Sequence, residues 1–292
     1  MPYRPVRTRT AASQLATRLV RLVLACACAV SLAFLPGCSN AERDRDEIVV
    51  TGSTTILPIA EIAGEMFVEG NPGFKVLVSG LGSSAGIETV AHGSSDIGTS
   101  SRDLKESEMD LGLYDTPIAI DAIAVIVNPS NPIDALTTEQ VRAIFEGSIK
   151  NWSEIGGPDR PIGLVNRDEA SGTREAFHKI VMDEHLFDRS AAVLPGTGQV
   201  RSVVAEAPGA IGYISLGFVN DEVKALAIDG VAATSETSAD GTYPLQRILH
   251  FFTPDVPEGL AARYIDYVLS ADIQETVVRD AGFLPIGGAV SR

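Results

Sequence analysis

Two hydrophobic periods alternate along this 292-residue chain. Compact apolar runs at 48–50, 74–78, 118–127 and 162–165 have the length of buried strands, and 141–145 has helical character. The run at 48–50 passes through Gly52-Ser53-Thr54-Thr55 into apolar residues at 56, 59, 60, 63, 66 and 67, the spacing of one helix face. Pro58 belongs in the first turn of that helix, where its missing N–H is not needed, so the spacing predicts a cap at Thr54 or Thr55. The second run leads through Gly80-Leu81-Gly82-Ser83-Ser84-Ala85-Gly86 into a helix carrying Ile87, Val90 and Ala91. The run at 118–127 stops at Asn128-Pro129, and 162–165 leads to Arg167 and a helix starting near Ser171. Strand, polar glycine-containing loop and helix recur from end to end, which predicts an α/β architecture with mostly parallel sheets. The acidic, Thr/Ser-rich stretch 231–242 is the best candidate for a connection between subdomains.

The N-terminal residues follow a different pattern. Arg4, Arg7, Arg9, Arg18 and Arg21 precede an apolar run of 14 residues, 22–35, with no acidic side chain before Cys38. That run is shorter than the roughly 20 residues of a membrane-spanning helix and matches a signal-peptide core. It ends in Leu35-Pro36-Gly37-Cys38, which resembles the lipobox of bacterial lipoproteins. The resemblance implies that residues 1–37 are a signal peptide, that Cys38 is acylated, and that 38–47 form a polar tether. Each acyl methylene buried in lipid contributes about 0.8 kcal/mol of anchoring. The expected location is extracytoplasmic, anchored to the cell membrane through lipid. The other cysteines, Cys26 and Cys28, fall within the signal, so no thiol nucleophile, disulfide or thiolate metal site is expected. The four histidines lack metal-ligand spacing, and no metal or cofactor is expected.

Charge narrows the partners. Without the five signal arginines, residues 38–292 carry 18 basic against 38 acidic side chains, a net −20. Such a field disfavours nucleic acid, which requires a basic footprint. It also repels small anions, so an anion site must work through local oriented donors, with little dependence on salt.

Three strand-to-helix junctions have the composition such a site needs: Ser53-Thr54-Thr55, Gly82-Ser83-Ser84 and Ser171-Gly172-Thr173. A helix N-terminus presents unpaired N–H groups and about half a positive charge, hydroxyls add donors, and glycine lets an oxyanion approach the backbone. Each junction taken singly is also an ordinary capping sequence. The Gly80–Gly86 string has GxGxxxG spacing without the acidic residue of a dinucleotide site, and no GxxxxGK[ST] loop is present. Arg167, four residues before Ser171, adds a planar permanent cation suited to a tetrahedral oxyanion.

With these residues in view, the chain resembles the substrate-binding proteins of phosphate-specific ABC importers. The resemblance rests on Gly52-Ser53-Thr54-Thr55, Gly80-Leu81-Gly82-Ser83-Ser84 and Asp96-Ile97-Gly98-Thr99-Ser100-Ser101-Arg102. It rests further on Gly147 through Trp152, on Arg167 through Thr173, and on Pro208-Gly209-Ala210-Ile211-Gly212-Tyr213. It implies a two-lobed periplasmic-binding-protein fold of type II, with the lobes joined by crossing strands and the ligand cleft between an α/β lobe of 46–119 plus 243–292 and another of 120–242. It also implies inorganic phosphate as ligand, held by Thr54, Thr55, Ser83, Ser101, Arg167, Ser171, Gly172 and Thr173, while Pro208–Tyr213 serve lobe structure. The expected partners are the permease subunits of an ABC importer, the expected state is a monomer, and no chemical step is required. Ser171 lies outside a GxSxG elbow, which argues against a hydrolase. At Ser101 some members carry an aspartate that accepts the proton of hydrogen phosphate and so rejects sulfate. Asp168 or Glu169 could supply that acceptor here. A sulfate-like oxyanion, or a surface sensor or adhesin role, is the alternative.

Overall fold

The computed structural model describes residues 46–183 and 185–287; Cys38, the signal peptide and most of the tether lie outside the described residues. In chain order the strands are β1 Glu47–Gly52, β2 Lys75–Gly80, β3 Ile97–Ser100, β4 Tyr114–Val127, β5 Ala135–Leu136, β6 Gly163–Arg167 and β7 Ala192–Leu194. They continue with β8 Ala210–Ser215, β9 Lys224–Ala225, β10 Ala227–Ile228, β11 Gln246–Thr253 and β12 Leu284–Pro285. The helices used below are α1 Leu57–Gly70, α2 Ser83–Ala91, α3 Thr138–Phe145, α4 Gly172–Phe177, α5 Thr197–Glu206, α6 Ser235–Ala239 and α7 Gly259–Val268.

Ten of these strands form one curled mixed sheet in the order β2-β1-β3-β11-β4-β8-β6-β7, with β9 and β12 pairing to β4, while β5 and β10 form a separate two-stranded sheet. Pairing is parallel on each flank, β2 with β1 and β1 with β3 at one end, and β8 with β6 and β6 with β7 at the other. The two long strands in the middle depart from the expected parallel pattern. β11 runs antiparallel to both β3 and β4, and β4 runs antiparallel to β8. The chain goes out along one of these strands and returns along the other, so they must run in opposite senses.

Side-chain alternation explains why 118–127 reads as an unbroken apolar run. Ile123, Val125 and Val127 pack with α3, α4 and Trp152 on one face of the sheet, while Ala124 and Ile126 pack with Val200 and Val204 of α5 on the other. A strand covered on both faces shows no polar alternation. The first flank is built the same way. Ile48 and Val50 meet α1 and α7 on one side, and Ile87 and Val90 of α2 meet Phe252 on the other.

The apolar clusters change over within the two long strands. Ile118 and Ala119 belong to the cluster around α1, whereas Ala122 and Ile123 belong to the cluster around α3 and α4. On the return, Leu245 still belongs to the latter and Leu249 to the former. The stretch 231–242, expected to be a connection, instead folds α6 while Val231 and Ala233 pack on the α3/α4 cluster. The cap of α1 also differs from expectation. Its N-cap is Ile56 without a side-chain bond, and the Leu57 N–H donates to the Ser53 carbonyl at 3.1 Å. The Thr54 and Thr55 hydroxyls do not cap because they are engaged by distant segments, described below.

At the changeover, Arg247 of β11 stands opposite Asp121 of β4. Arg247 Nε and Nη2 donate to Asp121 Oδ2 at 2.9 and 2.7 Å, and the Ser215 hydroxyl donates to Asp121 Oδ1 at 2.6 Å. Both side chains are essentially removed from solvent. Burial pushes the Asp121 carboxyl up, against the opposing pull of Arg247 and Ser215. Asp121→Asn leaves the buried guanidinium without its counter-charge and is expected to lower the unfolding free energy by about 3–5 kcal/mol in urea titration. Asp121→Leu combined with Arg247→Met removes both charges and is expected to cost less than the single substitution.

Candidate functional site

The loops preceding α2 and α4 touch. Gly82 ends the first with φ of 97°, and a Cβ there would lie 2.8 Å from the Ala170 carbonyl oxygen. The same carbonyl accepts the Ser84 N–H at 3.1 Å. This contact sets the start of α4 against the start of α2. A Cβ on Gly172 would fall 2.3 Å from Ser83 Oγ and 2.7 Å from Ser101 Oγ, so only glycine permits that approach. Ser83 Oγ accepts the Ser101 N–H at 3.1 Å and lies 3.3 Å from Ser101 Oγ. Ser171 caps α4, its Oγ accepting the Arg174 N–H at 3.2 Å.

A second contact joins the start of α1 to α4 and α5. Thr55 Oγ1 lies 3.2 Å from Thr173 Oγ1, and Thr54 Oγ1 lies 3.2 Å from Thr197 Oγ1 at the first residue of α5. Arg167, at the end of β6, ties the latter pair together. Its Nη2 donates to Thr54 Oγ1 at 3.2 Å and its Nη1 to Thr197 Oγ1 at 3.1 Å. The carbonyls of Leu194 and Pro195 accept from its Nε and Nη2. Only 2% of Arg167 is exposed. Burial lowers its pKa to about 10, which leaves it a cation at neutral pH. Behind it, Asn166 Oδ1 accepts both the Arg167 N–H and the Tyr213 hydroxyl, and Tyr213 stacks on Phe177 of α4. The Pro208–Tyr213 segment therefore supports the site through Asn166.

The residues singled out in the sequence fall in two linked groups, Ser83, Ser101 and Gly172 in one, and Thr54, Thr55, Thr173 and Arg167 in the other. Ser171 joins both through its place in the loop before α4. Three further residues were not anticipated. Thr197 sits in Pro195-Gly196-Thr197-Gly198, a junction of the same composition as the other three. Arg247 donates from Nη2 to Thr55 Oγ1 at 3.3 Å and from Nη1 to the Ser101 carbonyl at 3.2 Å, so the Asp121 pair reaches the site directly. Asp121 carried a legible signal, being the only charged residue in the apolar run 118–127. Of the two acidic residues after Arg167, Glu169 is exposed, whereas Asp168 Oδ1 is buried without a hydrogen-bond partner among the described residues.

Residues 39–272 match the PBP superfamily domain. The phosphate-binding protein PstS of Bacillus subtilis (strain 168) is 35% identical over 248 residues, covering 84% of this chain and 82% of that protein. The chain belongs to the PstS family of phosphate-binding proteins. PstS of Borreliella burgdorferi is 31% identical over 270 residues, covering 88% of this chain and 96% of the relative. Solved structures agree on the PstS-like α/β fold. A Clostridium perfringens substrate-binding protein assigned to a phosphate ABC transporter, solved with bound phosphate, superposes with a TM-score of 0.78 at 36% identity. That match covers 82% of this chain and 99% of the other. An ABC-type phosphate transport receptor from Vibrio cholerae gives 0.69 at 32% identity, covering 81% of this chain and 99% of the receptor.

Proposed function

We propose that this PstS-family chain is an extracytoplasmic protein, tethered to the membrane through acylated Cys38, that binds inorganic phosphate and hands it to the permease of an ABC importer. The observation that carries the reading is the convergence of two guanidiniums, Arg167 and Arg247, on the hydroxyls of Thr54, Thr197 and Thr55. A hydroxyl that accepts from an arginine turns its own proton elsewhere, so these threonines are biased to donate. Ser83, Ser101, Ser171 and the N–H groups of Gly172 and Thr173 add donors of the kind a tetrahedral oxyanion requires. Residues 46–119 with 243–292, and 120–242, act as two lobes. The separation of apolar clusters on either side of the Asp121–Arg247 crossing supports that division. Closing the lobes brings both groups of donors onto the ion, and opening them releases it. Binding and release suffice for delivery, without a chemical step.

Because Ser101 stands where some family members have a carboxylate, sulfate is the competitor that tests specificity. Calorimetric titration of residues 40–292 with each ion is expected to show tight phosphate binding and little for sulfate; equal binding of both would overturn phosphate specificity, and no binding of either would overturn the reading. Arg167→Ala removes a charge-assisted donor and is expected to weaken phosphate binding by roughly 10- to 100-fold in the same titration. Gly172→Ala, which places a methyl against the Ser83 and Ser101 hydroxyls, is expected to weaken it at least about tenfold while leaving the circular dichroism spectrum unchanged. Cys38→Ala is expected to abolish labelling by radioactive palmitate and to shift the protein from the membrane fraction to the soluble one.

A further inference from the structure

Outside the anion site, two ion pairs join the α2 side of the molecule to α4. Lys105 Nζ lies 3.2 Å from Glu175 Oε2, and Lys179 Nζ lies 3.7 Å from Asp103 Oδ2. Among the described residues, no other ion pair outside the Asp121–Arg247 crossing links the α1/α2 clusters to the α3/α4 cluster. The two pairs have opposite polarity. Asp103 and Lys105 present minus then plus from the segment after Ser101, and Glu175 and Lys179, one helical turn apart, present minus then plus from α4 and the π turn that extends it. One register satisfies both pairs, and a slip sets like charges against each other.

The segment bearing Asp103 and Lys105 is held in place before it meets α4. Arg102, 5% exposed, donates to both oxygens of Glu108 at 2.6 and 2.8 Å, and Glu108 Oε2 also accepts the Lys105 N–H at 2.8 Å. These partners hold the Glu108 carboxyl below its usual range against the opposing effect of burial. Leu104 packs on Ile87, Val90 and Phe252. On the other side, Ala176, Phe177 and Val181 anchor α4 and its extension in the α3/α4 cluster. An exposed ion pair is weak largely because two long side chains must be ordered to make it. Here the backbones carrying both charges are fixed, which keeps the charged ends within reach of one another and leaves only the ordering of the side chains themselves to be offset.

We infer that Lys105–Glu175 and Asp103–Lys179 form an ionic latch that closes with the lobes and sets the rate at which bound phosphate leaves. The inference rests on the two-lobed phosphate-binding reading. The latch residues flank the site in sequence, two and four residues beyond Ser101 and two and six beyond Thr173. The pairs therefore form only when the donor groups of both lobes meet, and they stabilise the closed form without touching the ion. Opening must break them, so their effect falls on dissociation more than on encounter. Being exposed, they are screened by salt, whereas the buried donors are not. Salt dependence of release thus belongs to the latch.

The test is stopped-flow phosphate release, with wild type, Lys105→Glu, Glu175→Lys and the double reversal, each at about 0.05 M and about 0.5 M KCl. Each single reversal is expected to speed release about 3- to 10-fold at low salt, and the double reversal to return it to within about twofold of wild type. High salt is expected to bring all four rates together. Wild type that binds phosphate, with single reversals that release it unchanged or a double reversal that fails to restore the rate, would overturn the latch alone. Wild type that binds no phosphate would overturn the function on which it rests.

Discussion

The buried pair of Arg247 and Asp121 is the constraint on which the rest of the arrangement depends. It sits where the two long strands leave one apolar cluster and enter the other. A charge so deeply desolvated is tolerated only with its partner and with its remaining hydrogen-bonding capacity satisfied. Ser215 supplies the second acceptor contact of Asp121, while Arg247 spends its remaining donors on the Ser101 carbonyl and the Thr55 hydroxyl. One ion pair thus ties β4, β11 and β8 to the loop after β3 and to the start of α1. Any shift of one flank of the sheet against the other is felt at Ser101 and Thr55.

This placement explains how a strongly acidic protein can hold an anion. The net charge acts over long range and is screened by ordinary salt, whereas the donors act over hydrogen-bond distances in a site from which solvent is removed. Arg167 remains a cation despite its burial, held by the Leu194 and Pro195 carbonyls and by two threonine hydroxyls. Arg247, already neutralised by Asp121, orients Thr55 rather than adding a free charge. The two arginines thus stand in different surroundings, Arg167 among carbonyls and hydroxyls and Arg247 against a carboxylate.

Much of the fold was legible in the chain. The run 118–127 announced a strand buried on both faces, and apolar residues at 56, 59, 60, 63, 66 and 67 announced α1, because local periodicity reflects which face meets the core. The composition of the three junctions, with Arg167 beside the last, pointed to an oxyanion site, since helix N-termini and hydroxyls have that chemistry wherever they occur. Where the same local rules misled, a distant segment had claimed the residue. Thr54 and Thr55 look like caps for α1, but Arg167, Thr197, Thr173 and Arg247 take their hydroxyls. The acidic stretch 231–242 looks like a connection, yet Val231 and Ala233 have an apolar surface to cover.

The sequence by itself determined the α/β alternation, the helix N-termini and the presence of an arginine cation among hydroxyls, because these depend on neighbours within a few residues. Only the tertiary structure decided the antiparallel sense and register of β4 and β11, the pairing of residues 121 and 247, and the meeting of Gly172 with Ser83 and Ser101. Those contacts join residues far apart in the chain, and their partners are chosen by burial and charge compensation, which no local pattern records.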